Sequence, residues 1–571
     1  MARLDYSAPG VYVEEIERGS RPIQGVSLSV AGFVGFTEDI RGDAQLFEPQ
    51  LITDWSQYLE CFGKPGSDGF TDFGAYLPFA VRGWFENGGG RCWVVSLGTQ
   101  LPLPASKKTA TEERPALTEV KTVSQKPSLS FSIKPEEQEN GRINVLVQPD
   151  DPLPTDDPDE EPFDTGEYFK LTLMQGENIL KEVRTVEGQE QQVDAVYRHL
   201  SMSAEPEAGV FVETALQESQ YINVEVLSSE GMALSRRPAN GSYEVSPPPE
   251  VYPVDQLYRK TYGARKGRTG IQGLYEIDEV AMVACPDMML AYQRGMLNLE
   301  QVHGIMEMML IGCENAAPSP PYRMAVLDAP PVKVRRGDDP VLPEQNKPQD
   351  VKDWLDQFGR RSQFAALYYP WIQVPNPRDN GKGIYVPPSG HMMGIWCQTD
   401  ESRGVYKAPA NVVPKGVINM AYDTNFREQE MLNPLGINCI RRFPNRGIRV
   451  WGARTLVEPD NILWRYISVR RLMSYIEKSI ELGTQWVVFE PNDEDLWARV
   501  RRTVSNFLER IWREGALFGG SPEEAFYVKC DGELNSEDTM RMGMLYIEVG
   551  VRPVRPAEFV VIRISQWAPN Q

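Results

Sequence analysis

The chain has 571 residues, of which 41% are hydrophobic and 10% aromatic, and a formal net charge of −21. At roughly 100–200 residues per domain this length calls for two to four domains, and no apolar run approaches the ~18 residues of a membrane-spanning helix. The acidic balance argues against nucleic acid as the main partner, because phosphate binding needs clustered Lys and Arg.

The charge is segregated. Residues 101–250 hold 13 Lys+Arg and 28 Asp+Glu, a net of −15, whereas residues 441–515 hold 14 basic and 10 acidic residues, a net of +4. The seven cysteines, at 61, 92, 285, 313, 397, 439 and 530, form no CxxC pair. This argues against a disulfide framework or a zinc site and predicts small buried residues. Met1 to Gly10 lacks the basic and apolar regions of a secretory signal, which predicts synthesis and folding in the cytoplasm.

In chain order, a Pro9-Gly10 turn signal precedes a short strand at 10–16, at the extreme terminus, where a lone strand must pair with something. Residues 26–36 (VSLSVAGFVGF) read as a buried strand. A helix follows over 53–62, capped near Thr53 or Asp54, then a second over 76–87 stopped by Gly88-Gly89-Gly90, then a strand over 91–96. From about 100 to 252 short β runs (129–133, 143–147, 168–174, 221–227) alternate with acidic, Pro-rich stretches such as 150–161, which cannot bury enough apolar area to fold. This predicts an inserted, mostly β, solvent-facing domain. The α/β rhythm returns with strands at 280–284, 323–327 and 364–369, and a helix over 302–312. Further strands are expected at 448–453, 464–469, 486–489, 526–530, 544–551 and 558–564. Residues 492–515 read as a helix with Asn492 as its cap and Gly515 at its end. Its apolar face is Leu496, Val500, Val504, Phe507, Leu508 and Ile511. Arg499, Arg502, Arg510 and Arg513 form one basic stripe.

Chemistry-bearing motifs are sparse. His199, His303 and His391 are the only histidines, and no phosphate loop or nucleophile elbow is present. Ser389 and His391, with Asp287 and Asp328 at strand ends, could be imagined as a serine hydrolase. Ser and His two residues apart in one turn do not build that geometry, so a structural turn is the reading taken. No metal, cofactor or catalytic residue is assigned. A monomeric binding module whose β insert holds a ligand is a further alternative.

Several ordered stretches resemble the phage tail sheath proteins. These are PGVYVEEI at 9–16, Arg21-Pro22-Ile23, residues 25–35, and the helix–GGG–RCWVV unit. Pro387-Pro388-Ser389-Gly390 with Asp400 and RGVYKAPAN at 403–411 belong to the middle of the chain. Trp451 to Leu456, Val469-Arg470-Arg471, Phe489-Glu490-Pro491-Asn492 and Pro556-Ala557-Glu558-Phe559 complete the series. The resemblance covers about residues 7–98 and 260–567 and misses the acidic insert.

The resemblance implies a multi-domain α/β (mixed α+β) protein. Its expected parts are an N-terminal strand arm (1–20), an α/β part of the core (21–99), an inserted acidic β domain (100–252), a middle α/β domain (253–440), a C-terminal domain (441–552) and a C-terminal strand arm (553–571). The family's middle domain is called subtilisin-like. The His and Ser spacing of that activity is missing here, so the fold is implied and the activity is not. The function implied is structural: a subunit of stacked hexameric rings, contracting around an inner tube, with baseplate and cap proteins as further partners and no membrane insertion. It would belong to a phage tail or a phage-tail-like injection particle. Terminal strands would be exchanged between subunits through Val11, Tyr12, Val13, Glu14, Glu15 and Ile16 at one end, and Phe559, Val560, Val561, Ile562, Arg563 and Ile564 at the other. Apart from the resemblance, the stripe Arg499, Arg502, Arg510 and Arg513 has two equal readings, a contact that grips an acidic tube or a solvated face with local pairs such as Glu509–Arg513.

Overall fold

A run of small and β-branched residues with no polar face makes the first strand, β1 (Val30–Gly35), which is buried along its whole length, as expected where helices cover both faces of a parallel sheet. The computed structural model describes residues 22–103, 118–134, 141–150, 166–176, 178–186, 189–206, 209–228, 231–245, 247, 251–315, 321–331 and 343–562. The strand expected at 10–16 lies outside them. Two compact units are present, Met1–Pro104 with Val251–Gln571, and Ala105–Glu250.

In the larger unit β1 is followed by β2 (Pro49–Ile52), helices α1 (Trp55–Phe62) and α2 (Leu77–Glu86), and β3 (Arg91–Ser96). After the insert come β4 (Met282–Ala284), β5 (Met324–Asp328) and β6 (Ala365–Tyr369), then helices α3 (Ser389–Arg403) and α4 (Phe426–Leu432), and the hairpin β7 (Ile437–Phe443) and β8 (Gly447–Val450). These strands form one eight-stranded sheet in the order β2-β3-β1-β4-β5-β6-β7-β8. The six inner strands are parallel and the two edge strands antiparallel. Asp54 caps α1, accepting the Gln57 N–H.

Two long helices follow, α5 (Ile467–Gly483) and α6 (Glu494–Arg513), then an antiparallel pair, β9 (Phe526–Lys529) and β10 (Glu548–Val551). Leu496, Val500, Val504, Phe507, Leu508 and Ile511 of α6 are all buried, in one cluster with Leu472 and Ile476 of α5 and with Ile23. A separate link joins α5 to α3: Arg471 donates to both carboxylate oxygens of Asp400, at 2.7 and 2.5 Å, and both side chains are nearly fully buried.

Four expectations are corrected. The cap of α6 is Asp493, which accepts the Leu496 N–H at 2.8 Å; Asn492, one residue earlier, instead bonds Met544 O and Trp497 Nε1. Residues 464–469 are not a strand, because the helical spacing of Val469, Leu472 and Ile476 starts α5 at Ile467. Residues 486–489 form no strand either: a short 3-10 turn covers Gln485–Val487, and Val488 and Phe489 face solvent with no neighbouring strand. Ser389 and His391 lie in the first turn of the buried helix α3, not in a loop turn.

The smaller unit is mostly β. Strands 196–201, 169–175, 143–149 and 241–245 lie side by side in one sheet, and strands 222–226, 127–133 and 118–121 make a second. Phe131, Val145, Phe169, Leu171, Leu173 and Ile222 fill its core. A hairpin of Lys181–Val186 with Gln189–Asp194 stands outside both sheets. Its Glu182 is buried and accepts bonds from Arg184, Tyr197, Ser219 and the Gln220 N–H.

Candidate assembly surfaces

The imagined hydrolase residues are packing elements. Asp287 is buried and accepts the backbone N–H groups of Phe36 (2.7 Å), Tyr76 (2.5 Å) and Leu77 (3.3 Å), so its oxygens tie β1 to the start of α2. Burial pushes its carboxyl up to about 7 against those donors. Asp328 caps α3 through the Ser389 N–H at 2.9 Å, and burial lifts it to about 7 as well. Ser389 and His391 are 0% and 2% exposed, and among the described residues His391 Nδ1 has no hydrogen-bond partner. Burial lowers the imidazole to about 4. A nucleophile that no substrate can reach, with no base bonded to it, does not support acyl transfer.

What these residues do is bring helices together. The Cβ that an alanine would add at Gly390 falls inside contact distance of the Ala80 carbonyl, one at Gly394 lies 2.7 Å from the Trp84 carbonyl, and one at Gly83 would enter the His391 ring. Helices α2 and α3 therefore touch backbone to backbone, which only glycine permits.

The basic stripe on α6 is real in position but uneven in chemistry. Arg499 pairs with Glu490 at 3.5 Å and lies over the Trp486 ring. Arg510 donates to the Ile23 carbonyl at 2.9 Å and stacks on Phe507. Arg513 pairs with Glu509 one turn back. Among the described residues Arg502 makes no ion pair or hydrogen bond, and it is exposed. One exposed, unneutralised arginine thus stands between locally satisfied ones.

Beside the stripe lies a feature that the sequence reading assigned to a strand. Phe489 is fully exposed (103%) with φ +70°, and Val488 beside it is also exposed. A bulky side chain in the left-handed region is strained by about 1–3 kcal/mol.

The C-terminal segment is anchored and then released. Val554 N–H bonds the Ala516 carbonyl and Phe518 N–H the Arg552 carbonyl. Glu558 is then gripped by Arg454 (2.9 Å from Nε to Oε1, 2.5 Å from Nη2 to Oε2), Asn433 (2.8 Å) and the Tyr466 hydroxyl (3.0 Å). Burial works against the charged form, yet these donors hold the carboxyl below the usual range. Directly after this clasp Phe559, Val560, Val561 and Ile562 are 74–79% exposed. Among the described residues they pair with no strand. Arg563, Ile564 and Val11 to Ile16 lie outside the described residues. No described helix is long and apolar enough to cross a membrane.

Comparison with known proteins adds an independent line. Residues 356–456 match the family model of the phage tail sheath protein central domain, and residues 460–566 that of the phage tail sheath C-terminal domain. The tail sheath protein of Salmonella phage ViI is 25% identical over 225 residues, 39% of this chain and 34% of that protein. A putative prophage major tail sheath protein of Pseudomonas aeruginosa (strain UCBPP-PA14) is 26% identical over 223 residues, 38% of this chain and 54% of that protein. The matched stretch therefore spans between about a third and about half of these relatives. Among solved structures, the PVC sheath complex of an extracellular contractile injection system in its contracted state aligns over 99% of this chain and 98% of that one, with TM-score 0.53 and 20% identity. The contracted helical sheath of the anti-feeding prophage aligns over 98% and 99%, with TM-score 0.52 and 22% identity. At these identities the likeness is one of fold.

Proposed function

We propose that this chain, a relative of the contractile tail sheath proteins, is a sheath subunit that polymerises as stacked hexameric rings around an inner tube and shortens to drive that tube through a target envelope. The observation that carries the reading is the C-terminal segment: a buried ionic clasp at Glu558 followed by four exposed, unpaired residues of high β-propensity. Such an edge is a liability in a monomer and a template for pairing with another chain. Strand addition by Phe559 to Ile564, and by Val11 to Ile16 at the other end, would tether neighbours while the body of each subunit moves as a unit. Arg502, with Phe489 nearby in sequence at the foot of the same helix, would face the tube. Hexameric order, assembly in the cytoplasm, and contact with baseplate and cap proteins belong to the same reading. Assembly needs no chemistry from the chain, which fits a structural protein.

The test is negative-stain electron microscopy of the purified chain, alone and co-expressed with the neighbouring tube gene. Hollow, striated cylinders of uniform width are expected. Discrete small particles in both preparations would overturn the reading. For the tube contact, Arg502→Glu is expected to abolish co-purification of tube with sheath while sheath-only polymers persist. It is a cleaner probe than Arg510, whose guanidinium already holds the Ile23 carbonyl.

A further inference from the structure

Residues 431–457 hold five arginines and no Asp, Glu or Lys, a stretch of +5 in a chain whose net charge of −21 leaves −26 for everything else. Arg454 is neutralised by Glu558. The other four sit on the β7–β8 hairpin, and among the described residues none of them meets a carboxylate.

Their hydrogen-bond partners are all neutral. Arg441 donates to the Thr424 carbonyl (3.0 Å) and the Gln429 side chain (2.8 Å). Arg442 donates to the Asn419 side chain (2.6 Å), Arg446 to the Asn411 side chain (3.1 Å) and Arg449 to the Asn411 carbonyl (3.0 Å). Arg441 and Arg446 also lie over Phe443, and Arg446 over Trp451, whose ring is 4.6 Å from that of Phe443. Glu428, on the adjacent helix α4, gives its carboxylate to Tyr422 and the Asn425 N–H.

Each guanidinium is thus held in place by neutral groups, and those of Arg441 and Arg446 by aromatic faces as well, with no carboxylate among the described residues and donors left over. Four like charges on one hairpin repel one another, a cost an external anionic surface would offset. Fixed guanidiniums lose little freedom on pairing with carboxylates. The outer edge of β8 is occupied at its Val450 end, since Val450 N–H bonds the Val412 carbonyl and Asn411 N–H the Val450 carbonyl. What the hairpin offers beyond that end is its row of guanidinium side chains.

We infer that the β7–β8 hairpin is a docking surface for the acidic face of a second copy of this chain. The copy is the partner because, away from this stretch, the same chain carries the complementary −26. The contact is separate from the terminal strands and rests on the proposed polymerisation only in requiring self-association.

The experiment compares the full-length chain with the double variant Arg442→Glu/Arg446→Glu, both of whose sites are exposed. Self-association is followed by sedimentation across a salt series, thermal unfolding checks the fold, and a short DNA duplex serves as a second probe. The expected result is salt-sensitive association of the wild type, weakened roughly tenfold or more in the variant at unchanged melting temperature. Arg442→Lys/Arg446→Lys should recover part of it, because lysine keeps the charge and loses the fork. Equal association of wild type and Glu variant would overturn the inference and leave the sheath reading standing. No self-association of the wild type at any salt would overturn the inference, and with it the sheath reading where co-expression with the tube gene also gives only discrete small particles. Duplex binding by the wild type, lost in the variant while self-association is unaffected, would assign the hairpin to nucleic acid instead.

Discussion

Glu558 and His391 show how much a single buried group decides. Glu558 sits among Arg454, Asn433 and Tyr466, and Arg454 is only 7% exposed, so Glu558→Ala leaves a nearly buried guanidinium unpaired. We expect a loss of roughly 3 kcal/mol in chemical denaturation and a defect in polymer formation. The pH dependence of this clasp follows from its depressed pKa: its stabilisation is present above the unfolded carboxylate range and is lost as pH falls through the folded value. His391 behaves in the same direction for a different reason. Its folded pKa is lowered from 6.5 to about 4 by burial, so the unfolded chain binds the extra proton in that window and stability drops as pH falls from 6.5 to 4. Asp287 and Asp328, raised to about 7, act oppositely, losing stability as pH rises toward 7. The comparison that isolates the imidazole is wild type against His391→Leu, and the wild type should lose about 3 kcal/mol relative to the variant across the window. Phe489 is the third case. Phe489→Gly removes left-handed strain and should raise stability by about 1 kcal/mol, while removal of the exposed ring should weaken assembly, read by sedimentation.

Among the elements, the α2–α3 crossing is a tight constraint. Gly390→Ala pushes a methyl into the Ala80 carbonyl, backbone that cannot rotate away. A loss of about 3 kcal/mol or more is expected from this overpacking, measured as a lowered melting temperature. Whether a run became strand or helix turned on what it could pair with. The parallel strands β1, β3, β5 and β6 were legible because buried strands are continuous apolar runs bounded by turns. The hairpin at 181–194 was not, since KEVRTV and QEQQVD carry polar residues on both faces and are strands only by pairing with each other. Residues 464–469 and 486–489 have strand-like composition, but one continues into an amphipathic helix and the other has no neighbour to bond.

Over the whole molecule, an acidic chain leaves, among the described residues, Arg502 on α6 and the four arginines of the β7–β8 hairpin without a carboxylate partner. It also leaves an apolar terminal segment exposed just beyond an ionic anchor. The proposed assembly would cover these surfaces with other copies or with the tube.

Composition, periodicity and spacing alone mark the chain as a mixed α/β protein with an acidic β-rich insert, give α6 an apolar face and an arginine stripe, and supply ordered motifs that resemble those of tail sheath proteins. All of these are local properties: periodicity, composition and spacing survive without knowledge of neighbours. The fold adds that Ser389 and His391 seal a helix contact, that Arg454 meets Glu558 across 104 positions, and that among the described residues Arg502 makes no ion pair or hydrogen bond and four hairpin arginines meet no carboxylate. Each of these depends on which distant groups the fold brings within hydrogen-bond reach, and no local pattern encodes that.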